Sequence, residues 1–146
     1  MIRCSLRLAR DVENTGDRGC RLYRIHVAEA FAREGHEVVV YDNLSRTKLL
    51  GKSIGDPEYN WNYLESMGNV RRVKGDVRNF EALRRAAEGV DLIVHAAAQV
   101  AVTTSVENPR EDFEVNALGT FNVLEAARRE DAAVLYLSTN KVYGET

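Results

Sequence analysis

Three places in this 146-residue chain set small or polar residues directly after a short apolar run, and a fourth does so after a weaker, mixed strand. Val38-Val39-Val40-Tyr41 ends in Asp42-Asn43, and Val70 to Lys74 is followed by Gly75-Asp76-Val77. Asp91-Leu92-Ile93-Val94-His95 breaks into Ala96-Ala97-Ala98-Gln99, and Ala132 to Leu137 breaks into Ser138-Thr139-Asn140. In an open parallel sheet such a break is the carboxyl end of a strand, the edge where ligands bind. Each residue there has a chemistry to offer. The Asp42 carboxylate can accept hydrogen bonds from the paired hydroxyls of a ribose and would repel a phosphate on that sugar; a solvated turn aspartate is the alternative. Asp76 can serve a ligand or simply close an Asx turn. The small side chains of Ala96, Ala97 and Ala98 let the backbone approach a flat ligand. Gln99 to Ser105 reads as a polar loop at the same edge, and the Thr139 hydroxyl can hydrogen-bond a substrate hydroxyl. His95 reads as a strand-end or core histidine without a role. Asn116, inside an apolar helix, is either a buried, paired amide or a site organiser.

These residues need elements to hold them. His26 to Glu34 reads as a short helix stopped by Gly35, and His36 to Asp42 as a β-branched strand. Asn43 to Glu58 reads as a loop punctuated by Gly51, Gly55 and Pro57. Trp61 to Met67 suits a short helix and Val70 to Lys74 a weaker strand. Asn79 can cap a helix through Phe80, Leu83, Ala86 and Ala87 to Gly89. Asn108 as cap and Pro109 at the first position open one long helix to Glu130. Helices alternating with strands predict an α/β, Rossmann-like doubly wound parallel sheet with helices on both faces.

Hydrophobic content of 45%, charged content of 29% and a net charge of -2 suit a soluble globular domain. They give no global reason to expect nucleic acid or a membrane as partner. No apolar run reaches the length of a transmembrane helix, and no signal-peptide pattern opens the chain. Cys4 and Cys20 have no metal-ligand spacing, so no metal is expected and a reducing, cytoplasmic setting is the default.

The strand-end motifs, from His26 onward, resemble the extended short-chain dehydrogenase/reductase family, the nucleotide-sugar epimerases and dehydratases. Ala98-Gln99-Val100-Ala101-Val102-Thr103-Thr104-Ser105, Asp112-Phe113-Glu114-Val115-Asn116 and Ser138-Thr139-Asn140-Lys141-Val142-Tyr143-Gly144 bring it nearest to the CDP-paratose (CDP-tyvelose) 2-epimerases. The resemblance implies NAD as cofactor, favoured over NADP by Asp42. It implies contacts to that cofactor from Asp42, Asn43, Asp76, Val77, Ala96, Ala97, Ala98 and Asn116. Thr139 becomes the candidate catalytic residue, and Gln99, Thr103 and Asn140 become candidates for the nucleotide-sugar substrate. The implied reaction abstracts hydride from a sugar carbon and returns it to the other face. Dehydratases of the family place Asp-Glu where this chain has Asn140-Lys141, which argues against water elimination. The family's Tyr-x-x-x-Lys pair is not among the 146 residues, and a substrate domain is expected to be absent. A homodimer through the Asn108 to Glu130 helix is expected from relatives.

The first 25 residues depart from the family. They hold six arginines and both cysteines, where a buried central strand and a glycine-rich phosphate turn belong. Read one base later, codons for Val12 to Arg18 can spell Trp-Lys-Ile-Leu-Val-Thr-Gly. Those for Gly19 to Ile25 can spell Ala-Ala-Gly-Phe-Ile-Gly and the start of Ser. One shift thus restores strand, glycines and junction to His26 together. Residues 1–25 are accordingly read as an aberrant frameshift segment and 26–146 as a partial NAD-binding domain with its first strand and glycine loop degraded. A genuine divergent extension is the alternative. Crowding of the diphosphate by Arg21 to Ile25 predicts weak or absent cofactor binding and no turnover. A non-catalytic dinucleotide-binding module and a 4,6-dehydratase fragment remain the competing functions.

Overall fold

The structure, a computed structural model, describes residues 21–44, 59–99 and 102–138. The described elements are α1 (Arg21–Arg33), β1 (Val38–Asp42), α2 (Tyr59–Glu65), β2 (Val70–Lys74), α3 (Phe80–Ala87) and β3 (Leu92–His95). They continue with α4 (Val102–Glu107), α5 (Pro109–Phe113), a π-helical segment (Glu114–Leu118), α6 (Gly119–Glu130) and β4 (Ala133–Tyr136). Local chemistry sets many of the boundaries. Asn79 Oδ1 accepts from Ala82 N at 3.1 Å and Asn108 Oδ1 from Glu111 N at 3.2 Å, with Pro109 at the first turn. Gly35 and Gly89 follow α1 and α3 with φ of 86° and 66°, the left-handed stop that glycine takes without strain.

β1 pairs in parallel with β2, and β3 in parallel with β4. Among the described residues no strand joins β1 to β3, and the described strands form two parallel ribbons. Side chains alternate across them. Val38, Leu92 and Val94 pack with Ala28 and Ala32 of α1 and Leu64 of α2. Ile93 points the other way, into a cluster of Leu83 and Ala87 of α3 with Val123, Ala126 and Ala127 of α6. Helices therefore cover both faces, as the alternating pattern predicts. The outer strand β2 carries Arg71 and Arg72, charges that suit an edge.

Three expectations change. The first helix already includes Arg21 to Ile25, ahead of the expected start at His26, and Ile25 packs on the α1 cluster. Part of the expected Gln99 to Ser105 loop is helical, from Val102 to Glu107. Ser105 Oγ donates to Asp112 Oδ1 at 2.6 Å, and that tie to α5 overrides the weak helix preference of Thr, Ser and Val. The single long helix after Asn108 is interrupted by the π-helical segment, where Gly119 N donates to Glu114 O.

Candidate functional site

Parallel pairing sends the strand ends the same way within each ribbon. Asp42 lies opposite Lys74 at the ends of β1 and β2, and His95 opposite Tyr136 at the ends of β3 and β4. What joins the two ribbons' edges is the π-helical segment and the start of α6. Asn122, only 6% exposed, donates through Nδ2 to Val77 O at 2.8 Å and Arg78 O at 3.2 Å, holding the loop after β2. Gly119 sits so close to that loop that a Cβ there would lie 2.6 Å from Val77 Cγ2. Six residues before Asn122, Asn116 Oδ1 accepts from Gln99 N at 2.8 Å, holding the loop after β3. One short stretch of helix thus brings Asp76, Val77 and the Ala96 to Gln99 loop to a common rim.

The β1 end is tied in as well. Asn43 Nδ2 donates to Asp76 Oδ2 at 3.1 Å, and Tyr41 Oη donates to Asp76 O at 2.9 Å. Gly75 makes room for that phenol, since a Cβ there would stand 2.3 Å from the Tyr41 ring. Asp42 Oδ1 accepts from Leu44 N at 2.8 Å, an Asx-type turn that holds Leu44 at φ 54° and orients the carboxylate. Asp76 is the most strongly charged-bonded group of the rim. Its Oδ1 accepts from Arg78 N and Nε, both at 2.9 Å, and its Oδ2 from Arg78 Nη2 at 2.7 Å as well as Asn43. Hydrogen bonds from the Arg78 side chain, against opposition from burial, hold the Asp76 carboxyl at about 2. All four acceptor positions of the carboxylate are thereby occupied, so a ligand amino group would compete with Asn43 for it.

Deeper in, Asn116 Nδ2 donates to Asp112 Oδ1 at 3.1 Å, so both ends of the amide are bound. Asn116 is thus a half-buried, paired amide that also fixes a loop of the rim. Of the residues singled out in the sequence, Asp42, Asn43, Asp76, Val77, Ala96, Ala97, Ala98, Gln99 and Asn116 lie on this rim or hold it. Thr103 is exposed on α4 rather than in a loop. Thr139 and Asn140 lie outside the described residues; β4 runs toward them in register with β3, and Leu137 N donates to His95 O at 3.0 Å. Sequence reasoning missed Arg78, Gly119, Thr120 and Asn122. Only Gly119 carried a signal, because a glycine in a helix interior is costly and usually marks close packing. Among the described residues no group of three or more His, Cys, Asp or Glu side chains could hold a metal ion, and no helix is long and apolar enough to cross a membrane.

Comparisons with known proteins bear on the family and the fold. Residues 25–146 match the model of the NAD dependent epimerase/dehydratase family. The CDP-paratose 2-epimerase of Salmonella typhi is 40% identical over 131 residues, covering 87% of this chain and 36% of that protein. A dTDP-glucose 4,6-dehydratase from Streptomyces venezuelae, solved with NAD bound, superposes with a TM-score of 0.68 at 32% identity, over 85% of this chain and 37% of the other. A UDP-glucose 4-epimerase from Thermus thermophilus, in complex with NAD, gives 0.54 at 33% identity, over 74% and 31%. The chain spans about a third of the length of the relatives it matches.

Proposed function

The chain belongs to the NAD dependent epimerase/dehydratase family, and from that premise we propose that it is the NAD-binding part of a nucleotide-sugar epimerase. The observation that supports this most is the shared rim: loops after β1, β2 and β3 are drawn to one edge by Asn43, Asn122 and Asn116. Bound NAD would supply hydride acceptance and return at a sugar carbon. The residues here would bind and orient. Asp42 would take the adenosine ribose hydroxyls, and Asn43 the same end. Asp76 and Val77 would face the adenine, and Ala96 to Ala98 would give the nicotinamide side a close backbone. Asn116 would keep that loop in place. Thr139 would hydrogen-bond the sugar hydroxyl, with Gln99, Thr103 and Asn140 toward the nucleotide sugar. A 2-epimerase of CDP sugars is the favoured member, on the resemblance to the Salmonella protein and on Asn140-Lys141 in place of the dehydratase pair.

The adenosine side fits the cofactor; the diphosphate side does not. α1 starts at Arg21 with Arg, Leu, Tyr and Arg, where a phosphate turn needs glycines so that backbone N–H groups can approach. Residues 1–25 are in this reading a frameshifted segment, and the polypeptide as given is inactive, with the cytoplasm as its setting. Calorimetry tests both halves of the proposal. The chain as given should show no saturable NAD binding. A chain with residues 12–25 replaced by Trp-Lys-Ile-Leu-Val-Thr-Gly-Ala-Ala-Gly-Phe-Ile-Gly-Ser should bind NAD. Saturable binding by the former would remove the claim of inactivity, and none by the latter would remove the cofactor assignment.

A further inference from the structure

His95 closes β3, is 4% exposed and is one of two buried polar residues in the described core. Its Nε2 lies 2.9 Å from Thr120 Oγ1. The Thr120 hydroxyl, in turn, donates to Asn116 O at 2.6 Å. A hydroxyl has one proton, and Asn116 O takes it. Thr120 Oγ1 therefore offers His95 only a lone pair, and His95 Nε2 must carry the proton. The bond has a direction: imidazole to threonine to the carbonyl of Asn116. That carbonyl belongs to the π-helical segment. The same Asn116 holds Gln99 N through its side chain.

We propose that His95 is a positioning residue, which through Thr120 locks the π-helical segment so that Asn116 presents its amide oxygen to the loop after β3. This deepens the proposed function and rests on it for the loop's role in holding a ligand. The arrangement also explains why a histidine stands at the end of an otherwise apolar strand. Leu at this place would fill the volume but leave the π-helical segment tied to β3 by packing alone. Burial pushes the imidazole pKa down, which keeps the ring neutral and its single N–H available for Thr120. Tyr136, with its ring centroid 5.4 Å from that of His95, limits ring rotation from the β4 side.

The test uses the full chain and needs no NAD. Nitrogen-15 spectra of the imidazole at neutral pH should show the Nε2–H tautomer. Amide exchange should read the rest. His95→Leu should raise exchange at Gln99 about tenfold, while Val123 and Ala126 of α6 stay within about twofold. His95→Gln, whose side-chain N–H can replace Nε2–H, should restore protection. An Nδ1–H tautomer, or equal Gln99 exchange in His95→Leu and the parent chain, would overturn the proposal. Should the His95 variants not fold, Thr120→Ser against Thr120→Val carries the same comparison: protection kept in the first, lost in the second. Because cofactor binding is not a readout, a glycine-restored chain that failed to bind NAD would count against the proposed function and leave this result standing.

Discussion

Asp76→Asn should destabilise the protein at neutral pH and make no difference in strong acid. Arg78 grips the Asp76 carboxylate with two side-chain bonds of 2.9 and 2.7 Å and a backbone bond of 2.9 Å, and Asn43 adds a fourth at 3.1 Å. These bonds lower the carboxyl from 3.8 to about 2. A shift of that size corresponds to about 2.4 kcal/mol at about 1.36 kcal/mol per unit. The Asp76 and Arg78 side chains are 26% and 35% exposed, so solvent screening reduces the expected contribution to about 1 kcal/mol. A carboxyl with a lowered folded-state pKa stabilises above its ordinary pKa and loses that contribution as pH falls through the folded value. The window is therefore pH 3.8 down to about 2. Urea denaturation of the parent and Asp76→Asn chains, run in parallel from pH 7 to pH 2, isolates this group because other acids cancel in the difference. The gap should be about 1 kcal/mol at pH 7, narrow below pH 4 and close near pH 2. Arg78→Met should also move the titration of Asp76 upward. A gap that is unchanged at pH 2, or an Asp76 that titrates at 3.8 in the parent chain, would refute the reasoning.

Gly119→Ala should cost about 1–3 kcal/mol and lower Tm by several degrees in a thermal melt, because its Cβ would meet Val77 Cγ2 at 2.6 Å. Asn122→Leu strips Val77 O and Arg78 O of their buried donor and should cost about 2 kcal/mol in urea denaturation; a neutral result would mean the loop after β2 is held by other means. Phe113, Phe121 and Leu124 are exposed along α5 and α6 at 66%, 63% and 51%, a surface suited to a second copy. Light scattering should find a dimer that Phe121→Glu converts to monomer, and a parent chain that is already monomeric would dismiss that partner.

Fold class and most element positions were legible because local chemistry writes them. Asn79 and Asn108 announce helix starts, Gly35 and Gly89 announce stops, and the β-branched runs at Val38 and Leu92 announce strands. The rim was legible only as a list of strand ends. What joins those ends is long-range: Asn122 reaches back more than forty residues to Val77, and Asn43 reaches forward to Asp76. No periodicity encodes such a pairing. The π-helical segment escaped for a related reason. Its sequence, Glu114 to Leu118, contains neither glycine nor proline, so nothing local marks the wider turn. His95 looked idle because its partner, Thr120, comes twenty-five residues later.

Among the described residues, the ties that assemble the rim come from α6 and the π-helical segment, and from Asn43 to Asp76. In the proposed reading the rim and the phosphate turn are separable parts of one site. A chain can keep Asp42, Asp76 and the Ala96 to Ala98 loop in place and still lack the backbone N–H groups that a diphosphate needs. That separation gives the two halves of NAD different fates. The chain as given should bind neither adenosine nor NAD saturably, since the diphosphate adds nothing to the grip. The chain with glycines restored should prefer NAD by at least about tenfold, or about 1.4 kcal/mol. Equilibrium dialysis with both ligands on both chains separates the cases. If the chain as given already favours NAD over adenosine, the residues ahead of Ile25 hold a diphosphate by some other geometry, and the missing glycines are not what limits the site.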